Sequence, residues 1–225
     1  GSLDRTAQIA RECGAKVLDL PCNLGVGGAV QAGFGYAYEQ GYQYAVRIDG
    51  DGQHPPSEIP KLLESIRASE ADLIIGSRFL GERSYRSTRL RFCGIYLLAQ
   101  FLSLICRRRV TDPTSGFQAL KRPLLYFFSQ SYPMDYPEPE ALALMRRQGY
   151  DFAEVPAIFR ERQAGDRPQA PPRDLSRGDE IDPEPPCRDG PRLEAMSFTD
   201  LPEMEDISVI KNGLGKGSGY ELLKK

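Results

Sequence analysis

Nothing in this sequence pairs its cysteines. Cys13, Cys22, Cys93, Cys106 and Cys187 form an odd, scattered set of five, and no two stand at C-x-x-C or Cys/His metal spacing. That pattern reads as reduced thiols of a cytosolic protein and argues against a disulfide framework. An excess of charge of one sign is missing too. Lys and Arg total 29 against 31 Asp and Glu, a net of −2, so there is no basic field to draw nucleic acid. No apolar run reaches the ~18–20 residues that a bilayer span requires, and no signal peptide stands at the N-terminus. Histidine is nearly absent: the single one, His54, reads as a structural neighbour of an acidic loop rather than as a catalyst.

What is there is a chain at 40% hydrophobic residues, enough for one good core with an appendage. The spacing predicts helices over Ala7–Cys13 and Gly27–Gln40, with Gly41 as a stop. Ile59, Leu62, Leu63 and Ile66 lie at helical spacing within Ser57–Ala68. Ala15–Leu20, Tyr44–Ile48 and Ala71–Gly76 read as strands. Helix and strand alternate, which predicts a parallel or mixed sheet covered by helices, with ligands at the carboxyl ends of the strands. Residues 1–163 form the predicted domain. Residues 164–225 differ in character. Asp166–Pro191 holds seven of the chain's 18 prolines among mixed charges, and disorder is expected there. Gly213–Gly219 is glycine-rich; Gly215-Lys216-Gly217-Ser218 has the wrong spacing for a phosphate loop and no predicted strand before it.

The most informative stretch is Arg47-Ile48-Asp49-Gly50-Asp51-Gly52-Gln53-His54-Pro55-Pro56. A buried strand delivers Asp49 and Asp51 to its carboxyl end, the glycines keep the backbone open, and Gln53 adds a neutral oxygen. Hard oxygen donors of this kind suit Mg²⁺ or Mn²⁺ shared with phosphate oxygens. The bland alternative is an acidic turn, since Asp-Gly is common turn chemistry. Gln53-His54-Pro55-Pro56 tips the balance. The whole string resembles the metal-binding segment of family 2 glycosyltransferases, and in particular the polyprenyl-phosphate sugar transferases of the dolichyl-phosphate mannose synthase type.

That resemblance implies a GT-A fold, a Rossmann-like mixed sheet flanked by helices. It implies a divalent metal held by Asp49, Asp51 and Gln53, and a nucleotide-sugar donor. Asp4 in Gly1–Thr6 matches the family's Asp-Gly-Ser-x-Asp-x-Thr element on the donor side. On that match the chain begins after the family's first strand, and weak donor binding is expected. In Asn23-Leu24-Gly25-Val26-Gly27-Gly28 two readings stand: close packing of a helix start on the sheet, with an indirect role for the glycines, and donor contacts by Asn23 and Gly25. A dinucleotide fingerprint is disfavoured, because Val30 takes the third glycine position. Arg78 in Gly76-Ser77-Arg78 faces the diphosphate in the resembling enzymes, where a guanidinium offsets leaving-group charge.

On the acceptor side the resemblance assigns Arg86 and Arg89 to a lipid phosphate. It assigns Ser115 and Gly116 to the acceptor-lining Thr-Asp-x-x-Ser-Gly-Phe element, Thr111–Phe117. Gln118 stands where the family often has arginine. Phe92–Cys106 is a short apolar helix with arginines on both sides, either core or lying in a membrane interface. The family likeness favours the interface, on the cytoplasmic face. Glu138 and Glu140 open another helix, either as complements to its dipole or as the base that transfer to a saccharide hydroxyl requires. Transfer to a polyprenyl phosphate requires none. A nucleotide-binding remnant without activity is the remaining alternative.

Overall fold

The computed structural model describes residues 5–22, 24–81, 89–160, 207–212 and 220–223. The order is α1 (Thr6–Glu12), β1 (Lys16–Leu18), α2 (Gly25–Glu39), β2 (Tyr44–Asp49), α3 (Ile59–Ala68) and β3 (Leu73–Ser77). Then come α4 (Arg89–Cys106), β4 (Gln118–Lys121), α5 (Arg122–Gln130), α6 (Pro137–Arg147), β5 (Phe152–Pro156), β6 (Ile207–Asn212) and β7 (Tyr220–Leu223). The chain folds as a mixed sheet flanked by helices, in the order β1-β7-β6-β2-β4-β3-β5.

Strand β2 is the axis of the site. Its side chains alternate between two apolar layers. Ala45 faces a core built from α2, α4, α5 and α6 around Phe34, Leu124, Phe128 and Leu142. Val46 and Ile48 face a second core under α3, with Ile59, Leu62 and Ile66. Those three α3 side chains are fully covered. Each contributes about 1.5–3 kcal/mol of burial. The i, i+3, i+4, i+7 spacing read in the sequence is therefore the face that fixes α3 against the sheet. Pro56 sits at the start of the single 3-10 turn before α3, where its missing N–H costs nothing.

Four strands, β4 to β7, answer to no signal read in the sequence, and two of them come from the tail. Ile207–Asn212 pairs in parallel with β2, with Ile48 opposite Lys211 and Asp49 opposite Asn212. Tyr220–Leu223 pairs antiparallel with both β6 and β1. The tail thus fills the sheet position beside β2, and the expectation of a structureless tail does not extend to these two segments. Ile207-Ser208-Val209-Ile210 carries β-branched residues, but the surrounding acids and Pro202 hid it. The proline-rich stretch Asp166–Pro191 lies outside the described residues.

Candidate functional site

The carboxyl end of β2 carries Asp49, and the chain then turns through Gly52, whose φ of +76° suits glycine. Asp51 accepts the Gln53 N–H at 3.0 Å, closing a tight turn. The Gln53 carbonyl accepts the Arg160 N–H at 2.9 Å, which ties the turn to the segment after β5. Asp49, Asp51 and Gln53 are all partly exposed, so the turn is accessible.

Among the described residues the Asp49 carboxylate makes long ion-pair contacts but no side-chain hydrogen bond. Its Oδ1 lies 3.7 Å from the Arg47 guanidinium and its Oδ2 lies 4.0 Å from His54 Nε2. Both separations exceed a normal hydrogen bond. Gly116 closes the remaining side. A Cβ there would stand 2.6 Å from Asp49 Oδ2 and 2.8 Å from Oδ1. Only a residue without a side chain leaves this carboxylate in place.

His54 is buried. Its Nδ1 accepts the Asp49 backbone N–H at 2.9 Å, which leaves the proton on Nε2. Its ring stacks on Phe117 at 5.0 Å and meets the edge of Phe159 at 5.0 Å. Burial holds its pKa below the ordinary histidine value, against the attraction of Asp49 and Asp51. A neutral, clamped imidazole braces the loop.

Arg47 is the largest charged group inside the protein, with 1% of its surface exposed. It donates to Tyr132 Oη at 3.0 Å and is ion-paired with Glu138 at the start of α6. Burial opposes its charge, but Tyr132, Glu138 and Asp49 more than offset this and raise its pKa. Burial likewise pushes the Tyr132 hydroxyl up to about 12, against the pull of Arg47. The Arg47 Nε is buried with no hydrogen-bond partner. An unmet buried donor costs about 1–3 kcal/mol.

A second polar cluster stands at the end of β3. Arg78 donates to Asp112 through Nε at 2.7 Å and Nη2 at 2.6 Å, and to Thr114 Oγ1 at 2.6 Å. Its backbone N–H also reaches Asp112 at 3.0 Å. Behind it, Glu154 accepts the Thr111 and Asp112 N–H groups and the Thr111 hydroxyl. The Ser77 hydroxyl pairs with Thr111 Oγ1 at 2.7 Å.

The structure brings Asp49, Asp51, Gln53 and Gly116 together. It turns the Ser115 hydroxyl inward, onto the Gly76 carbonyl at 2.6 Å, where it ties β3 to the 111–117 loop rather than facing an acceptor. It commits Glu138 to Arg47, so this carboxylate is not an unpaired base, while Glu140 is exposed on the first turn of α6. Gly25 takes a φ of +70° at the start of α2. Nearby, a Cβ on Gly27 would stand 2.2 Å from the Pro133 carbonyl, so close packing accounts for that glycine. Asp4, Asn23 and Arg86 lie outside the described residues, and Arg89 opens α4 without a described side chain. Sequence reasoning missed Arg47, Tyr132 and Glu154 as parts of the site, and placed Asp112 only within the acceptor-lining element. The available signals were an arginine inside an otherwise apolar strand and the aspartate of Thr111-Asp112.

The donor chemistry fits a hard divalent cation. The turn offers two carboxylates and an amide oxygen, and the Asp49 oxygens are held off their protein neighbours. Among the described residues no three His, Cys, Asp or Glu side chains converge to hold a metal on their own.

A mixed sheet flanked by helices, with an acidic turn at the carboxyl end of a central strand, places the chain among α/β proteins that bind ligands at strand ends. The chain belongs to glycosyl transferase family 2, whose family model matches residues 1–127. It is 30% identical over 165 residues to the undecaprenyl-phosphate mannosyltransferase of Micrococcus luteus, covering 70% of this chain and 65% of that one. It is 30% identical over 175 residues to the polyprenol monophosphomannose synthase of Mycolicibacterium smegmatis, covering 73% and 66% respectively. It is 32% identical over 162 residues to the dolichyl-phosphate hexose transferase of Haloferax volcanii, covering 72% and 68%. The chain thus spans about two thirds of the length of these curated relatives.

Proposed function

We propose that the chain carries the donor site of a metal-dependent, inverting glycosyltransferase that moves a sugar from a nucleotide diphosphate to a polyprenyl phosphate. The carrying observation is the Asp49 carboxylate, seated against Gly116 with its oxygens clear of hydrogen-bond partners. The names of two of these relatives, an undecaprenyl-phosphate mannosyltransferase and a dolichyl-phosphate hexose transferase, supply the acceptor class.

Asp49, Asp51 and Gln53 would hold the cation, which when bound offsets the charge of the donor diphosphate. Arg78 follows β3, separated from β2 by β4, and its pairing with Asp112 offsets most of the charge it could lend the diphosphate. The bond from the anomeric carbon to the diphosphate oxygen breaks, and the diphosphate leaves with the electron pair. A new bond forms from the acceptor phosphate oxygen to the opposite face of that carbon. The attacking oxygen is already anionic, so no proton is removed. The pairing of Glu138 with Arg47 fits a reaction that needs no base from that residue.

Helix α4 supports a lipid acceptor. Tyr96, Leu97, Phe101 and Leu104 lie on one exposed face, and Arg107, Arg108 and Arg109 follow as exposed residues. Among the described residues no helix is long and apolar enough to cross a membrane. An apolar face with a basic end suits the interface of an anionic bilayer.

The test is transfer of radiolabel from UDP- and GDP-sugars, with Mn²⁺, to polyprenyl phosphate or to an oligosaccharide. Label in the organic extract supports the proposal. Label in the oligosaccharide favours a hydroxyl acceptor with Glu140 as the base. No label in either, with donor bound, marks a binding remnant.

A further inference from the structure

We infer that Arg47 is a positioning residue for the Asp49 carboxylate, acting as the outer support of the donor site. The inference rests on the reading of Asp49 as a metal ligand. Arg47 and Asp49 are two residues apart on one strand, so both side chains fall on the same face of β2. The guanidinium stands 3.7 Å from Asp49 Oδ1, near enough to orient the carboxylate and too far to take its lone pair. Two groups from other elements hold the guanidinium there. Tyr132, between α5 and α6, takes Nη1 at 3.0 Å, and Glu138 of α6 takes Nη2. Asp49 is confined from the other sides by His54 and Gly116.

A purely structural arginine buried at this depth would be expected to satisfy all its donors, as buried polar groups do. Arg47 leaves Nε unmet. Its three partners all lie on the Nη side, where Asp49 is, and the planar fork is what lets one group reach all three. Lysine carries the same charge on a single nitrogen and lacks the fork. Arg47→Lys therefore keeps the field at Asp49 and removes the orientation.

The experiment measures Mn²⁺ binding to the full chain by electron paramagnetic resonance, with UDP present and absent. Arg47→Lys is expected to weaken Mn²⁺ about 10-fold or more, the size seen when an outer support of a metal ligand is lost. Tyr132→Phe, which removes one anchor and no charge, is expected to weaken it by a smaller factor in the same direction. It carries the test if Arg47→Lys does not fold. Arg122→Lys is the control. That arginine, half-buried at the start of α5, holds the Tyr38 carbonyl at 3.1 Å, away from Asp49, and its replacement is expected to leave Mn²⁺ affinity unchanged. Wild-type Mn²⁺ affinity retained in both Arg47→Lys and Tyr132→Phe overturns the role of Arg47 and leaves the metal reading intact. No Mn²⁺ bound by the wild-type chain overturns both.

Discussion

Arg47, buried, and Arg78, half-buried, are two arginines near the carboxyl ends of strands in one sheet, and they are held in different ways. Arg78 is locked to one carboxylate. Asp112, fully buried, takes two side-chain donors and the backbone N–H of the same residue, and Thr114 takes a further bond. Arg47 is divided among Tyr132, Glu138 and Asp49, and one of its donors goes unmet. The lesson is that burial of a charge does not state its purpose. A closed ion pair joins β3 to the loop before β4 and sets the end of the sheet. A divided one leaves a carboxylate oriented and available, which a binding site needs and a structural lock does not.

The largest effect should come from breaking the closed pair. Arg78→Met strands the Asp112 carboxylate with no route to water, and loss of one partner of such a pair costs about 3–5 kcal/mol. Arg47→Met strands Glu138, whose side chain is 20% exposed and can turn to solvent. It should cost less, about 1–3 kcal/mol. Urea unfolding of the two variants decides the matter. An Arg47→Met chain as unstable as Arg78→Met would mean that the two arginines do the same work.

Next in size is Gly116→Ala. The new methyl meets both Asp49 oxygens under 3.0 Å, and the carboxylate must move toward Arg47 or out of the loop. Overpacking of this kind costs about 1–3 kcal/mol. The loss of donor binding should exceed what stability explains, because Asp49 is displaced. Titration with Mn²⁺ and UDP reads it. The comparison substitution is Gly76→Ala, where the Cβ meets Phe117 Cδ1 at 2.8 Å and Ala157 Cβ at 3.0 Å, both apolar. It should lower stability with little change in UDP affinity. Equal losses of binding in the two variants would remove the special place given to Gly116.

His54 gives a smaller, pH-dependent effect. Burial depresses its folded-state pKa below that of the unfolded chain. The unfolded state therefore binds the extra proton first as pH falls. The stability linked to His54 is complete above the unfolded value of about 6.5 and is lost as pH falls from there through the folded pKa, at up to about 1.4 kcal/mol per pH unit. His54→Gln removes this slope while keeping a polar side chain. Denaturation midpoints between pH 7 and pH 5 compare the two. An unchanged slope in His54→Gln would mean that another group carries the acid sensitivity.

How far the sequence revealed these arrangements depends on the range of the interactions. The elements legible in the sequence, α1 to α4, α6 and β1 to β3, rest on local apolar spacing, with Ile59, Leu62, Leu63 and Ile66 of α3 the plainest case, whereas β4, α5 and β5 were not read. The Asp49–Gln53 turn was legible because its residues are consecutive. Arg47 was not, because its partners lie 85 and 91 residues away. The inward turn of Ser115 and the capture of Glu138 are equally remote in the chain. Strand β6 was hidden for a different reason. Acidic residues and Pro202 interrupt the apolar pattern around Ile207–Ile210, so no strand period stands out there. For α4 the sequence left core and interface open, and only burial along the helix separates a covered stripe, Ala99, Leu102 and Cys106, from a bare one.

That bare stripe should give the smallest effect on stability, and it completes the contrast between groups fixed inside and groups left outside. Leu97 and Leu104 are 67% and 77% exposed. Replacing both by Asp removes little buried area, so unfolding free energy should change by no more than about 0.5 kcal/mol per site. Binding to vesicles of anionic lipid should fall several-fold. The apolar face would lose its insertion energy, and the new carboxylates would be repelled by the head groups. Salt should weaken what binding the wild-type chain shows, since Arg107–Arg109 act through a screened field. Co-sedimentation at low and high salt measures both. A wild-type chain that stays in the supernatant with anionic vesicles at low salt would leave the α4 face without a lipid partner. Loss of the fold in the double variant would show that the stripe is covered by other parts of the chain. Retained stability with lost vesicle binding is the expected pair of results, because a surface residue at this exposure has little to lose on unfolding and much to lose at an interface.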